Sequence, residues 1–260
     1  MKNRISVVIV IYNQSCEDSL TCQKILKNTV QPDHVLVIDN STRDFLNEDF
    51  CNFQGWKYHS MNGNAGLSKA YNAALKILKP ACDVIVWADD DTDFPENYFS
   101  ELSVYVEENP EKSLFVPLVF SDSRMISPSI AGKNRVVSVG SANELTNKSL
   151  TAINSGLAVR TELYRDYRYD EALFLDCIDH DFMRWCRQQG KEICIMEQVV
   201  LHQSFFADSK PKRASAIIRR KIFVHDFRTY SKKCGKNPIV MLFQLLKGRI
   251  RLELTCSRSK

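Results

Sequence analysis

Three consecutive carboxylates, Asp89-Asp90-Asp91, follow an apolar run, Val84-Ile85-Val86-Trp87-Ala88. A short, continuous apolar run is the pattern of a buried strand. Side chains alternate along a strand, so Asp89 and Asp91 project to one side while Asp90 points away. Two converging carboxylates make a hard, oxygen-rich site suited to Mg²⁺ or Mn²⁺ with a phosphate-bearing ligand. The triplet equally suits an acidic turn before a helix that starts near Pro95, because Asp favours turns and helix N-termini. Three further polar positions follow the same plan of an acid or base next to an apolar run. Asp39-Asn40 closes the run His34 to Ile38, and His202 closes Val199-Val200-Leu201. Asp176-Cys177-Ile178-Asp179-His180-Asp181 leads into a helical pattern with Phe182, Trp185 and Cys186 that ends at Gly190. At that helix start Asp179 and Asp181 can also act as partners of the helix dipole.

The elements that position these groups follow from hydrophobic patterning. Ile5 to Ile11 is β-branched and almost continuously apolar, as expected of a strand covered on both faces of a parallel sheet. A helix is predicted from Ser15 towards Asn28, then a strand at 34–38, an extended piece at 56–59, and a helix from Leu67 to about Leu78. That last helix is entered through Met61-Asn62-Gly63-Asn64-Ala65-Gly66, where glycines permit close backbone approach and the helix start offers free amides to a phosphate or sugar hydroxyl. A helix from about Pro95 to Glu108 and a strand from Leu114 to Val119 complete a strand–helix alternation typical of a doubly wound sheet, in which ligands bind outside the carboxyl ends of the strands. Residues 121 to 150 read as a loop-dominated insertion around a strand-like 135–139. Beyond them come Asn154-Ser155-Gly156, a short strand at 157–159, and short strands at 192–196 and 199–201.

The 260 residues are 44% hydrophobic, enough for a full core and too many for a disordered or fibrous chain. Nine cysteines without a C-x-x-C pair suggest reduced, buried thiols, not disulfides or zinc. The start of the chain lacks the pattern of a signal peptide, so a cytoplasmic location is expected. A net charge of +4 hides an asymmetry: residues 210–260 hold 15 Lys and Arg against Asp226 and Glu253, a local +13 beside −9 for residues 1–209. Such a tail, with a basic helix expected at 210–233 and an interfacial or packed helix at 239–246, suits an anionic lipid surface or nucleic acid, or is a pair of solvated helices. It lacks the interleaved aromatics of a nucleic-acid module, and no nucleic-acid partner is expected.

Taken in order, the opening VVIVIYNQ, Asp39-Asn40, NGNAGLSKAYNAAL, the acidic triplet, Asn154-Ser155-Gly156, Asp179-His180-Asp181 and His202 resemble the family 2 inverting glycosyltransferases of GT-A fold. The resemblance covers about residues 5–205 and is greatest to the bacterial branch with rhamnosyl- and galactofuranosyl-transferases. It implies an α/β chain with a mixed, mostly parallel, doubly wound sheet. Residues 1–209 would form the catalytic domain, with a nucleotide-sugar half at about 1–120 and an acceptor half at about 121–209, and 210–260 a basic helical extension. It also implies that Asp39 holds the nucleotide base, with Asn64 and Asp89 on the donor, Asp91 and His202 on Mn²⁺ or Mg²⁺, and Asp179 as general base with Asp181 as the alternative.

The implied activity is transfer from dTDP-rhamnose, UDP-galactofuranose or another UDP-hexose to a saccharide or lipid-linked saccharide, in bacterial surface polysaccharide synthesis. The enzyme would work in the cytoplasm or peripherally on the inner face of the cytoplasmic membrane. A metal would offset charge on the departing diphosphate, and a carboxylate on the opposite face would take the acceptor proton, inverting the anomeric centre in one displacement. Ile178-Asp179 stands where many members have Glu-Asp, the usual glycine pair is absent from 164–170, and His225-Asp226 stands where relatives show Arg-Asn. The first departure leaves a non-catalytic nucleotide-sugar or glycan-binding protein on the same fold as the alternative.

Overall fold

The computed structural model describes residues 3–78, 81–132, 136–203 and 213–246. Eleven strands and six helices follow in chain order: β1 (Ile5–Ile11), α1 (Leu20–Leu26), β2 (His34–Asp39), α2 (Asn47–Gln54), β3 (Lys57–Ser60), α3 (Leu67–Leu78), β4 (Val84–Asp89), α4 (Tyr98–Glu108), β5 (Leu114–Ser121), β6 (Arg124–Ser127), β7 (Ser129–Ala131), β8 (Val136–Val137), β9 (Leu150–Thr151), β10 (Leu157–Arg160), α5 (Ile178–Gln188), β11 (Ile193–His202) and α6 (Arg213–Lys233). Residues 238–246 are helical as well.

The main sheet runs β11-β5-β10-β4-β1-β2-β3, with β6 added beside β5. β4, β1, β2 and β3 are mutually parallel, as are β11 and β5, while β10 lies antiparallel between β4 and β5. All seven residues of β1 are buried, as a central strand covered on both faces requires. Each face has its own core: α1, α2 and α4 pack with Ile9, Val86 and Phe115, and α3 and α5 pack with Val8, Trp87 and Val116. The chain is therefore a doubly wound α/β sandwich with a mixed, mostly parallel sheet.

Register gathers the polar strand ends on one edge. Ile11 lies opposite Asp39 and Val10 opposite Asp89, so the two carboxylates flank the end of β1. Strands are about 4.8 Å apart, which puts the two carboxylate-bearing positions roughly 10 Å apart, two strands across. β10 runs the other way, so its start, Asn154-Ser155-Gly156, lies at that same edge, and the Gly156 N–H donates to Trp87 O at 2.8 Å.

Several boundaries differ from the sequence reading. α1 begins at Leu20, not Ser15: Ser15 Oγ and the Asp18 carboxylate hydrogen-bond each other in a turn, and Ser19 is the residue that caps the helix, accepting from Cys22 N. The two expected strands at 192–201 are one, β11, with a register shift between Met196 and Val200. The 121–150 region holds more β-structure than expected, with β7, β8 and β9 forming a second small sheet. The eight cysteines among the described residues are free thiols. No helix among those residues is long and apolar enough to cross a membrane. Residues 210–212 of the expected basic helix, and the tail from 247 onward, lie outside the described residues.

Candidate active site

A cavity of about 810 Å³ opens at the carboxyl edge of the sheet. Asp89, Asn154, Ser155 and Gln203 line one part of it, Asp179 and His180 at the start of α5 another, and side chains of the C-terminal helices a third. Asp89 accepts a 2.5 Å hydrogen bond from Ser155 Oγ. Burial pushes the Asp89 carboxyl up to about 6, against the pull of the Ser155 hydrogen bond, with the charges of Asp91 and Asp179 adding to the rise. Burial also raises Asp90 to about 6 and moves Asp91 upward. Asp90 points away as strand alternation requires: its carboxylate lies 3.4 Å from Tyr12 N and its carbonyl accepts from Ser19 Oγ at 2.7 Å, so it ties β4 to α1.

Gln203, directly after His202, lies between the two outer carboxylates. Its Nε2 donates to Asp91 Oδ1 at 3.4 Å and its hydrogen bond also eases the Asp89 charge. Its own Oε1, and Asn154 Oδ1, are buried acceptors with no hydrogen-bond partner among the described residues. Buried polar oxygens without partners are rare in folded proteins, and each loses its full desolvation energy unless a ligand satisfies it. Two buried carboxylates whose charge burial disfavours, with two amide oxygens left without partners among the described residues, form an all-oxygen donor set of the kind that Mg²⁺ and Mn²⁺ prefer. Among the described residues no three His, Cys, Asp or Glu side chains make a metal shell by themselves, so a cation here would draw on the amides, on water and on its ligand's phosphates. His202 is exposed, pairs through its backbone with Asp93, and does not line the cavity.

Asp39 is 5% exposed at the edge of a second cavity of about 400 Å³. Its carboxylate accepts from Ser41 N at 2.9 Å, Asn47 Nδ2 at 2.8 Å and Tyr58 OH at 3.1 Å. Those bonds fix its orientation beside Ser41, Thr42 and Arg43. Asn64 lines neither cavity; it is exposed and its Oδ1 accepts from Gly66 N at 3.3 Å, closing a turn into α3. Gly66 itself has φ +92°, and a Cβ there would stand 2.7 Å from the Phe174 ring, so only glycine allows this close approach.

The second acidic cluster resolves into two environments. Asp181 is 2% exposed and clasped by Arg184 at 3.0 Å and Lys233 at 2.6 Å. Asp179 is half-buried and lines the main cavity, and among the described residues its carboxylate accepts only the His180 N–H, at Oδ1, 2.7 Å. Beneath them Trp87 Nε1 donates to Tyr164 OH at 2.7 Å, and Tyr164 stacks on Phe182 of α5 with ring centroids 5.9 Å apart. The stretch that lacks the expected glycine pair thus carries an aromatic cluster that seats α5.

Against this geometry the comparisons are specific about the family. The family model "Glycosyl transferase family 2" matches residues 6–168. The chain belongs to that family. No curated protein matches it closely enough to count as a relative. Among solved structures it is similar to GalNAc-T7 with UDP, GalNAc and Mn²⁺ (16% identity, TM-score 0.62, 81% of this chain and 46% of that one). It is also similar to S. aureus TarS 1–349 in complex with UDP (16%, 0.59, 85% and 65%), and to the mannosyltransferase PcManGT from Pyrobaculum calidifontis in complex with GDP-Man and Mn²⁺ (16%, 0.60, 98% and 71%). At that identity the likeness concerns the fold, which is GT-A. The chain spans less than half the length of GalNAc-T7 and about two thirds of TarS 1–349.

Sequence reasoning singled out the carboxylates but not Ser155, Asn154, Gln203 or the C-terminal side chains as site residues. The first two lie in a motif already conspicuous as Asn154-Ser155-Gly156, and Gln203 adjoins His202. Nothing local marks the C-terminal groups.

Proposed function

We propose that this family 2 glycosyltransferase moves a sugar from a nucleotide-diphosphate donor to a saccharide acceptor, with inversion and with a divalent cation. The observation that carries the reading is the single cavity that sets Asp89, with the Gln203 and Asn154 oxygens, across from a half-buried Asp179. Asp39 would receive the nucleotide base in the smaller cavity, and Asp89 the nucleoside or ribose side. Asp91, Gln203 and Asn154, with His202 as a further candidate, would hold Mn²⁺ or Mg²⁺. Such a cation supplies Lewis-acid stabilisation of charge on the leaving diphosphate. Asp179 would accept the proton of the attacking hydroxyl. In this reading residues 1–120 serve the donor, 121–209 the acceptor, and the donor is a dTDP-, UDP- or GDP-sugar used in bacterial surface polysaccharide synthesis.

Screening UDP-, dTDP- and GDP-sugars with Mn²⁺ and with EDTA tests this. Metal-stimulated release of one nucleoside diphosphate is expected, and Asp91→Ala is expected to lower that stimulation by at least about 10²-fold. Binding of a nucleotide-sugar with no metal-stimulated turnover, with or without saccharide acceptors, would favour the non-catalytic alternative.

A membrane-borne acceptor is supported by the C-terminal helix at 238–246. Ile239, Leu242, Phe243 and Leu246 are 45–70% exposed and spaced i, i+3, i+4, i+7, so they form one outward apolar face while Leu245 packs inward. Lys247, Arg249 and Arg251 follow in sequence, and each basic residue near an anionic bilayer contributes roughly 1 kcal/mol. Flotation with phosphatidylglycerol vesicles is expected, with none on phosphatidylcholine alone. Changing the four apolar residues to Ser is expected to abolish it; unchanged flotation would remove that face from the contact.

A further inference from the structure

Among the described residues four Arg and Lys side chains line the cavity wall, Arg184 and Arg187 from α5, Arg219 from α6, and Lys236 just beyond α6. Two are neutralised within the protein. Arg184 pairs with Asp181, and both guanidinium nitrogens of Arg219 clasp Asp176. The other two have no carboxylate partner among the described residues. Arg187 donates one N–H to Leu150 O at 2.6 Å, and burial, with the charge of Arg184 adding to it, pulls its guanidinium below the usual range. An uncompensated cation in a desolvated wall is unfavourable unless an anion meets it. Lys236 Nζ is held over the Phe227 and Tyr230 rings, 5.3 and 5.2 Å from their centroids.

These two cations share one cavity wall. Both line the same cavity as Tyr230, whose ring Lys236 covers. Cys177 and Asp179, the proposed base, line that same cavity. The cavity is thus acidic at its donor end, around Asp89, and cationic at the end walled by Tyr230, Phe227 and Phe223.

We propose that Arg187 and Lys236 form an anion subsite on the acceptor side, which takes a phosphate group carried by the acceptor next to its reacting sugar. This rests on the glycosyl-transfer reading and adds to it the chemical class of the acceptor. A guanidinium with free N–H groups can grip two phosphate oxygens, and a lysine held on aromatic rings adds a point charge without a second carboxylate to compete. The aromatic walls offer flat faces to the adjoining sugar. The phosphate could be a terminal monoester or a diester linking the saccharide to a lipid or a polymer, and the two arms of the test separate these.

The test uses the whole chain with whichever of UDP, dTDP and GDP binds in the presence of Mn²⁺, so that the donor site is filled. Glycerol 3-phosphate, glycerophosphoglycerol and glycerol are then titrated by calorimetry. At least one phosphate probe is expected to bind and glycerol is not; a preference for glycerophosphoglycerol indicates a diester acceptor, and a preference for glycerol 3-phosphate a terminal monoester. Arg187→Gln and Lys236→Gln are each expected to weaken the phosphate probe about tenfold, the size of one hydrogen bond to a charged group. Arg187→Lys should recover part of the loss, and nucleoside diphosphate affinity should stay as in the parent. Phosphate binding that ignores all three substitutions, or no phosphate binding with normal nucleotide binding, overturns the subsite alone. Failure of every nucleoside diphosphate to bind sinks the transfer reading on which it rests.

Discussion

Asp179→Asn is expected to keep nucleoside diphosphate affinity within about twofold while lowering sugar transfer by about 10²–10⁴-fold, the range spanned by a positioned general base. Asn has the same shape and can still accept the His180 N–H that orients residue 179, so the loss reports proton acceptance and not a collapsed helix start. Asp181 is not expected to take over. It is buried and already shared between Arg184 and Lys233, and its conversion to Asn would take the carboxylate from Arg184 and leave Lys233 with Asp170 alone, an effect read as lower stability. Calorimetric affinity and single-turnover transfer on the same preparation separate the two outcomes. A transfer rate within tenfold of the parent for Asp179→Asn removes Asp179 from the role.

The carboxylates at the sheet edge were legible because a parallel strand buried on both faces has an unmistakable pattern, and its first polar residue marks where ligands meet the sheet. Asp39 after Ile38 and the triplet after Ala88 needed only that. α3 was equally clear, its boundaries at Leu67 and Leu78 set by a Gly-rich entry and a strong apolar face. α2 escaped detection because Asn47–Gln54 buries only Asn47 and Cys51 and starts from a left-handed Leu46, leaving almost no apolar period to read. The antiparallel place of β10 between β4 and β5 is also invisible locally: a run of Leu, Ala and Val carries no direction. For the same reason the sequence suggested two strands where β11 is one, since a register shift looks like a break.

The role of the C-terminal helix was the least legible, and it bears on catalysis. Asp226, one of two acids in a +13 tail, stood out in sequence only through His225-Asp226 in place of Arg-Asn; folded, it is wholly buried and accepts the N–H groups of Phe174 at 3.0 Å, Leu175 at 2.7 Å and Asp176 at 2.8 Å. Burial alone would raise its carboxyl, yet the hydrogen bonds from His225 and those amides hold it below its usual range. Stability from a depressed carboxyl is present above its unfolded pKa and lost as pH falls through the folded one, so this clasp weakens only in acid. The loop it grips is fastened at the other side to α3, where Leu67 N donates to Phe174 O at 2.6 Å, and it runs straight into Asp179.

Asp226 is therefore a positioning residue for the proposed base. Asp226→Ala orphans three amides in a partly buried loop and is expected to lower stability by about 3 kcal/mol. Transfer should fall by about 10²-fold at temperatures where the variant remains folded, because a displacement near 1 Å at a reacting group has that effect. Nucleoside diphosphate affinity should be unchanged, since Asp39 and Asp89 lie on strands that Asp226 does not touch. Asp226→Asn grades the response: one oxygen can still receive Leu175 and Asp176, while its amide opposes the Phe174 N–H or gives up the His225 contact. Its transfer rate should fall between parent and Ala variant, with kcat moving and donor KM steady. A uniform loss of stability with kcat intact would make Asp226 a purely structural clasp.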